Sequence, residues 1–323
     1  MGIENSKDSF FLHAVEESLA AKFSNEISIG SLPCVFILGA PRTGSTLFYQ
    51  FLINHFEFYY PTNLLNESYA EVPVIGAFFE QKLATAAEVD YKSKFGKTEG
   101  PIGPSEGSKF FQRWYGGEHP SETHSSSLLP GLSEKMQRTF AALYGLTGAP
   151  LLFKNAWNCF RIESIASLFP LASFIWIRRD IRQAARSDLE AREKHGGYDV
   201  WNSATPENYQ EIKQRPYWEQ VVEQQYEYGR RISSDFAILR QNRIMEVWYE
   251  DICLNPLNEL SRLERFFSKA GISAIKRGSN SVFSASASER NLSLDREGRL
   301  ILAYIDSVKS GRLNSFLYKK SRP

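Results

Sequence analysis

The chain has 323 residues, of which 42% are hydrophobic and 14% aromatic, which is enough apolar material for one large domain with a sizeable core. A formal net charge of +1 gives no global argument for nucleic acid or an anionic membrane as a partner. The longest apolar runs fall far short of the ~20 residues that a membrane-spanning helix needs, and the first residues lack the apolar stretch of a signal peptide. The cysteines, Cys34, Cys159 and Cys253, are too widely spaced for a zinc site or a disulfide framework. We therefore expect a cytoplasmic protein with reduced thiols.

Helix-like and strand-like segments alternate along most of the chain. The apolar pattern predicts helices over 8–22, 46–55, 133–146, 161–169, 181–193, 217–241 and 256–270, and strands over 34–38, 57–60, 151–154, 173–178 and 243–248. This alternation is typical of an α/β fold in which helices flank a central parallel sheet. We predict a single domain with its core at 30–270. Ligands of such sheets bind beyond the carboxyl ends of the strands, so the residues after each strand are the candidates for chemistry.

Residues 91–130 interrupt this alternation. The segment is rich in Gly, Pro and Ser but carries four aromatic residues, Phe110, Phe111, Trp114 and Tyr115. A long irregular segment inside a compact domain is usually functional, and the aromatic residues argue against disorder. The segment is interpreted as a substrate-side insertion or lid.

The first strand is followed by a loop that runs from Gly39 to Thr46. Its spacing is that of the nucleotide-binding pattern G-x-x-x-x-G-K-[ST], except that Ser45 stands in place of the lysine. Gly44 lets the backbone approach a ligand closely, and successive N–H groups at a helix N-terminus form a cradle for an anion. Arg42 supplies a positive charge. The missing lysine argues against an enzyme that hydrolyses ATP or GTP.

The residues Pro41-Arg42-Thr43-Gly44-Ser45-Thr46 resemble the 5'-phosphosulfate loop of the sulfotransferases, especially their carbohydrate and tyrosylprotein branch. These enzymes use 3'-phosphoadenosine-5'-phosphosulfate (PAPS) and release 3'-phosphoadenosine-5'-phosphate (PAP). The resemblance implies a P-loop, nucleotide-kinase-like fold and PAPS as the donor, with no metal required. It also implies that Arg42 contacts the sulfuryl end, while Thr43, Gly44, Ser45 and Thr46 hold the 5'-phosphate.

A second segment resembles the 3'-phosphate site of the same family, Arg-Asn-Pro-x-Asp-x-x-x-Ser. Arg179 leaves the strand 173–178 and Ser187 lies two helical turns later, so both side chains can face one phosphate. Asp180 and Ile181 replace the Asn-Pro of the family pattern. Most of the other arginines of this region are interpreted as a solvated helix face: Arg178, Arg182, Arg186 and Arg192.

Three further assignments rest on the resemblance. Lys154 ends the strand 151–154 at the place of a family lysine that contacts the sulfuryl group. Trp248-Tyr249-Glu250-Asp251 resembles a Tyr-Glu-Asp-Leu segment and is interpreted as structural. Arg290 and the C-terminal segment 271–323 are expected to close over the nucleotide. The adenine needs an aromatic platform, and three aromatic residues are candidates, although each by itself is better explained as core: Tyr217, Trp218 and Tyr226.

The general base is left open. Cytosolic sulfotransferases carry a histidine two residues after the strand lysine, where this chain has Ala156. Tyrosylprotein members use a glutamate soon after the second strand, and Glu67 lies a little beyond that place. Glu106 precedes the aromatic cluster of the insertion, and a carboxylate held beside apolar surface suits proton abstraction. We rank Glu106 first, then Glu67, then His119.

These features predict transfer of a sulfuryl group from PAPS to a hydroxyl or amine of a carbohydrate or small metabolite, in line and with general-base help. No metal cluster and no nucleic-acid partner are expected, and the oligomeric state is left open. One alternative is a P-loop kinase or NTPase, which would need a lysine in the loop and a magnesium-binding aspartate. The other is a PAP-binding protein without catalysis.

Overall fold

The computed structural model describes residues 6–83, 91, 98–116, 128–201, 203–277, 283, 290–308 and 311–317. Within them lies a four-stranded parallel sheet of order β2-β1-β3-β4. The strands are β1 (Cys34–Leu38), β2 (Leu151–Lys154), β3 (Ser173–Arg178) and β4 (Ile244–Trp248). Every residue of β1 and β2 is buried, as expected of strands covered on both faces.

The strand register places all four carboxyl ends at one edge of the sheet. Lys154 of β2 lies beside Ile37 of β1, and Arg178 of β3 lies beside Trp248 of β4. The segments after β1, β2, β3 and β4 therefore meet above the same edge. This confirms the predicted α/β class with a central parallel sheet.

Helices cover the sheet and extend the fold at both ends. They are α1 (Ser6–Ser24), α2 (Ser45–His55), α3 (Asn63–Ser68), α4 (Pro73–Leu83), α5 (Ser108–Tyr115), α6 (Ser133–Thr147), α7 (Ile162–Leu168), α8 (Ile181–Lys194), α9 (Tyr209–Ile212), α10 (Tyr217–Ile238), α11 (Tyr249–Leu254), α12 (Pro256–Ala270) and α13 (Arg296–Ser307). A 3₁₀ helix, Ala156–Phe160, comes after β2, and another, Gly311–Phe316, lies near the C-terminus. None of the helices in the described ranges combines the length and the apolarity that crossing a bilayer requires.

Alternate side chains of the strands fill two cores, one on each face of the sheet. Phe36, Phe153 and Phe174 stack in a row on one face, with ring centroids 5.3 and 5.6 Å apart. The opposite face buries Ile37 and Ile175 against α2 and α12. Removal of this apolar surface from water is the main force that holds the helices on the sheet.

The strand predicted over 57–60 is wrong. Only Tyr59 pairs with the sheet edge, as an isolated bridge to Leu151. Phe56 and Phe58 instead turn into the core against Phe267, and Pro61 has no N–H to continue a ladder.

The described part of the insertion 91–130 contains α5. Its four aromatic side chains are all buried, and Phe110 stacks on Phe140 and Phe153. These aromatic side chains belong to the core, because their helical spacing forms one apolar face that packs on the sheet. His119 falls outside the described residues, and the lid stays a prediction.

Candidate active site

The loop between β1 and α2 is held in place by hydrogen bonds that its carbonyl groups accept. Gln225 on α10 donates from Nε2 to the carbonyl of Pro41 at 2.7 Å, and the Thr43 hydroxyl donates to the carbonyl of Ala40 at 2.8 Å. No side chain caps the start of α2. The first N–H groups of this helix are therefore donors at its positive end, where anions bind.

Two residues of the loop adopt the left-handed backbone conformation. Gly44 has φ = +86°, and a Cβ atom there would lie 2.2 Å from Cδ2 of Tyr249. Only glycine avoids both the backbone strain and this clash. Arg42 has φ = +66° although it is not glycine, which costs on the order of 1 kcal/mol. Such strain persists where the surrounding structure imposes it, often at functional sites.

The two candidate phosphate anchors contact each other. Arg42 donates from Nε to Oγ of Ser187 at 3.2 Å, and Arg179 donates from Nη1 to the carbonyl of Arg42 at 3.0 Å. The guanidinium of Arg179 also lies 4.6 Å from the ring centre of Tyr249. Burial lowers the pKa of Arg42, while the charge of Asp188 acts in the opposite direction. The structure thus brings Arg42 together with Arg179 and Ser187, which lie 137 and 145 residues further along the chain.

Arg290 contacts α8, the helix that carries Ser187. Its backbone N–H donates to Oε1 of Gln183 at 3.2 Å, and the Gln183 amide donates back to the carbonyl of Arg290 at 3.0 Å. Its guanidinium forms an ion pair with Glu190. Gln183, Ser187 and Glu190 are spaced to share one face of α8, so Arg290 stands beside the Ser187 anchor.

Lys154 joins the other side of the loop to the insertion. Its ammonium group donates to Oγ1 of Thr46 at 3.3 Å and forms an ion pair with Glu106. The side chain of Lys154 is 7% exposed and that of Glu106 is 35% exposed. Asn155 donates from Nδ2 to the backbone carbonyl of Glu106 at 2.9 Å, so Glu106 is held at both its main chain and its carboxylate. The carboxylate of Glu106 therefore contacts an ammonium group.

The second candidate base lies elsewhere. Glu67 forms an ion pair with Lys109, and both side chains are more than half exposed. Of the three candidates, the structure brings Glu106 to Lys154 and the loop, shows Glu67 in a surface pair and does not describe His119.

The sequence model of the family described as "Sulfotransferase family" matches residues 33–270. This chain belongs to the sulfotransferase family. Among solved structures, the sulfotransferase STF9 from Mycobacterium avium is 13% identical with a TM-score of 0.50, over 95% of this chain and 77% of that one. The sulfotransferase from Alicyclobacillus acidocaldarius is 14% identical with a TM-score of 0.45, over 90% of this chain and 98% of that one. The first likeness concerns the fold alone. No curated protein sequence gives a significant match.

Several residues that build the site of this sulfotransferase are not recognisable from its sequence. The sequence assigns Tyr249 a structural role, yet its ring borders both Gly44 and Arg179. Its signal is its place directly after β4, at the carboxyl edge of the sheet. Gln225 and Asn155 give no local signal, because their contacts are made with residues distant in sequence.

The arginines near β3 are less solvated than predicted. Arg192 is fully buried and pairs with Asp188 at 3.3 Å, and it also donates to Gln220 at 2.8 Å. Arg178 lies between the rings of Trp176 and Trp248, with 13% of its side chain exposed. A series of charged residues on a helix is solvated only where no other element packs on that helix face. Here α10 packs over Arg192.

The three aromatic candidates for the adenine platform pack with one another and with α8 and α13. Tyr217 stacks on Tyr198 with ring centroids 4.6 Å apart, and Tyr226 lies under the guanidinium of Arg312 at 4.5 Å.

Over the described ranges, no three His, Cys, Asp or Glu side chains are grouped so that they could hold a metal ion.

Replacing Arg179 with alanine is expected to weaken PAP binding by about 1.5–3 kcal/mol, because a charge-assisted contact to a phosphate is of that size. Ser187→Ala should cost less, since it removes one neutral hydroxyl. Titration calorimetry with PAP measures both. Arg262, which pairs with Glu259 on α12, offers a matched control, and Arg262→Ala should leave PAP binding unchanged. Unchanged affinity in both Arg179→Ala and Ser187→Ala would contradict the assignment of a 3'-phosphate site.

Proposed function

We propose that this sulfotransferase moves a sulfuryl group from PAPS to a hydroxyl or amine of a carbohydrate or small metabolite. The observation that supports this most directly is the hydrogen bond from Arg42 to Ser187, because it joins the two candidate phosphate anchors in one site. A donor with a phosphate at each end of its ribose needs two such anchors close together. The free thiols of Cys34, Cys159 and Cys253 support the proposed cytoplasmic location.

The donor would lie across the carboxyl edge of the sheet. The 5'-phosphate takes the backbone N–H groups at the start of α2, together with the hydroxyls of Ser45 and Thr46. The 3'-phosphate takes Arg179, Ser187 and Arg290, of which two are cations that match a phosphate dianion. Arg42 stands between the two anchors, so its charge acts on both phosphates and not on the sulfuryl end alone.

Lys154 would stabilise the charge that develops during transfer. Its ammonium group touches Thr46 in the first turn of α2, next to the place proposed for the 5'-phosphosulfate. As the acceptor oxygen or nitrogen bonds to sulfur, the bond from sulfur to the bridging oxygen breaks and leaves negative charge on the phosphate of PAP. A buried cation at that oxygen interacts more strongly than it would in water.

Glu106 would take the proton of the acceptor. Its carboxylate is paired with Lys154 and so stands at the proposed reacting end of the site. When the sulfuryl group draws the ammonium of Lys154 towards itself, Glu106 loses part of its positive partner and becomes a stronger base. The backbone contact to Asn155 keeps the carboxylate in place during this exchange.

PAP is expected to raise the melting temperature of the full chain by a few degrees in the presence of EDTA, because binding to the folded state stabilises it and both phosphate anchors consist of protein groups. Thermal unfolding with and without PAP measures this. A shift that appears only with ATP and magnesium would contradict the proposal and favour a kinase. PAP binding without turnover of any acceptor, in a screen of carbohydrate, phenol, amine and alcohol pools read by mass, would indicate a non-catalytic protein.

A further inference from the structure

The core contains a guanidinium group, that of Arg161, which forms no ion pair with a carboxylate of the residues that the structure describes. Arg161 directly follows the 3₁₀ helix Ala156–Phe160 and is 1% exposed. Its Nε and Nη1 atoms are buried and have no hydrogen-bond acceptor. Among the described residues, Tyr115 is the ionisable group that acts on its charge, and its ring lies 4.0 Å from the guanidinium carbon. A buried charge with no opposite charge strongly destabilises a fold.

The charge of Arg161 is present at neutral pH. Burial lowers the pKa of this guanidinium to about 10, which leaves it protonated at pH 7. The arginine therefore does not escape the cost of burial by losing its proton. The remaining way to offset this cost is an anion that comes from outside the described protein groups.

Asn158 lies beside Arg161 and is likewise buried without hydrogen-bond partners for its side chain among the described residues. It is completely buried, and neither Nδ2 nor Oδ1 of its side chain has a hydrogen-bond partner. The backbone N–H of Arg161 donates to the carbonyl of Asn158 at 3.2 Å. This bond closes a four-residue turn, so the two residues lie next to each other. Buried polar groups are nearly always satisfied in folded proteins, so two such neighbours are candidates to contact one bound ligand.

The position of this pair links it to the site of transfer. The 3₁₀ helix begins two residues after Lys154, and the thiol of Cys159 within it lies 3.3 Å from the N–H of Gly39 in the phosphate loop. At about 2 Å of rise per residue, Arg161 lies roughly 10 Å along this helix from its first residue, Ala156. One acceptor molecule can span that distance.

The guanidinium of Arg161 has the chemistry to bind a carboxylate. The Tyr115 ring covers one face of the guanidinium and is itself fixed by the contact of its hydroxyl with Oγ of Ser164 at 3.3 Å. The N–H groups of Arg161 lie in the guanidinium plane, where an oxygen of a planar carboxylate can accept from them. Asn158 offers one further donor, and its oxygen can accept from a neighbouring hydroxyl or amine of the same ligand.

We propose that Arg161 and Asn158 form a binding site for a carboxylate, and that the acceptor of the sulfuryl group supplies it. The first part stands on the structure of the free chain, whereas the second rests on the proposed function. The acceptor class would then be a hydroxy or amino acid whose carboxylate is held at Arg161 while its nucleophile faces Lys154.

The first experiment tests the site without an acceptor. Melting temperatures of the full chain, Arg161→Met and Arg192→Met are measured in sodium acetate and in sodium chloride of equal ionic strength. In chloride, Arg161→Met should melt at or above the unchanged protein, because it removes an unpaired buried charge. Arg192→Met should melt lower, because it removes the buried ion pair between Arg192 and Asp188. Acetate should raise the melting temperature of the unchanged protein and of Arg192→Met by a few degrees, but not that of Arg161→Met.

A loss of stability in Arg161→Met as large as that in Arg192→Met, with no response of any protein to acetate, would overturn the proposal. Arg161 would then serve the fold through its stack on Tyr115. An acetate shift of equal size in Arg161→Met would also overturn it, because the anion would bind elsewhere.

The second experiment tests the acceptor. A pool of hydroxy and amino acids and the same pool as methyl esters are incubated with PAPS, and sulfation is read by mass. We expect the acids to be preferred and their KM to rise about 10- to 100-fold in Arg161→Met, the loss that one charged hydrogen-bonded pair represents, with the KM of the esters unchanged. Equal use of acids and esters, together with a positive acetate result, would overturn the acceptor assignment in favour of a free carboxylate. Failure of the unchanged protein to bind PAP would refute the proposed function and leave the acetate result standing.

Discussion

Replacing Lys154 with alanine is expected to lower kcat by on the order of 10²-fold or more while changing PAP affinity little. The ammonium group is nearly fully buried against Thr46, so its interaction with charge on the breaking bond is screened little by water. That charge is larger in the transition state than in the bound donor, so the loss falls on kcat and not on binding. Steady-state kinetics with any acceptor that is turned over, combined with PAP titration, measures the two effects separately.

The substitution should leave the fold intact, because the carboxylate left behind on Glu106 is about one-third exposed and remains solvated. Lys109→Ala is a matched control, since this lysine also pairs with a glutamate but does so on the surface. Its kcat should stay within the normal range. A Lys154→Ala protein with normal kcat, or one whose main defect is weak PAP binding, would contradict the role of Lys154 in the transition state.

Replacing Glu106 with glutamine is expected to lower kcat by roughly 10²–10⁴-fold, the usual contribution of a positioned general base. The amide keeps an oxygen that can accept from the ammonium of Lys154, and the backbone contact with Asn155 does not depend on the side chain. The change therefore removes the proton acceptor with little change in geometry. The defect should shrink as pH rises, because an acceptor that is already ionised needs no base. A pH profile of kcat for both proteins tests this.

Glu67→Gln provides the comparison, because Glu67 lies in an exposed pair with Lys109. We expect near-normal turnover from it at every pH. Normal turnover in Glu106→Gln with a collapse in Glu67→Gln would move the role to Glu67. Normal turnover in both would leave His119, or an acceptor acidic enough to react without a base.

The two candidate phosphate anchors could be identified from the sequence because each is a local feature. β1 is an uninterrupted apolar run, and a buried parallel strand followed by a glycine-containing turn and a helix creates the same anion cradle in any context. Arg179 and Ser187 come after β3 in the same way. The parallel order of the strands then places both segments at one edge, so their meeting through Arg42 is a consequence of the fold class.

The sequence was sufficient to predict the fold class, and it identified the candidate phosphate loop, the candidate pair of Arg179 and Ser187 and the lysine at the end of β2. These features depend on the period of apolar residues and on the residues directly after each strand. Three further features are visible only in the folded chain. Glu106 is the carboxylate that pairs with Lys154, the aromatic side chains of α5 point into the core, and Arg161 and Arg192 are buried. These outcomes depend on contacts between residues tens of positions apart, such as the 48 that separate Glu106 from Lys154. Burial and charge pairing between distant segments are set by packing, and local sequence patterns do not encode which surfaces will meet.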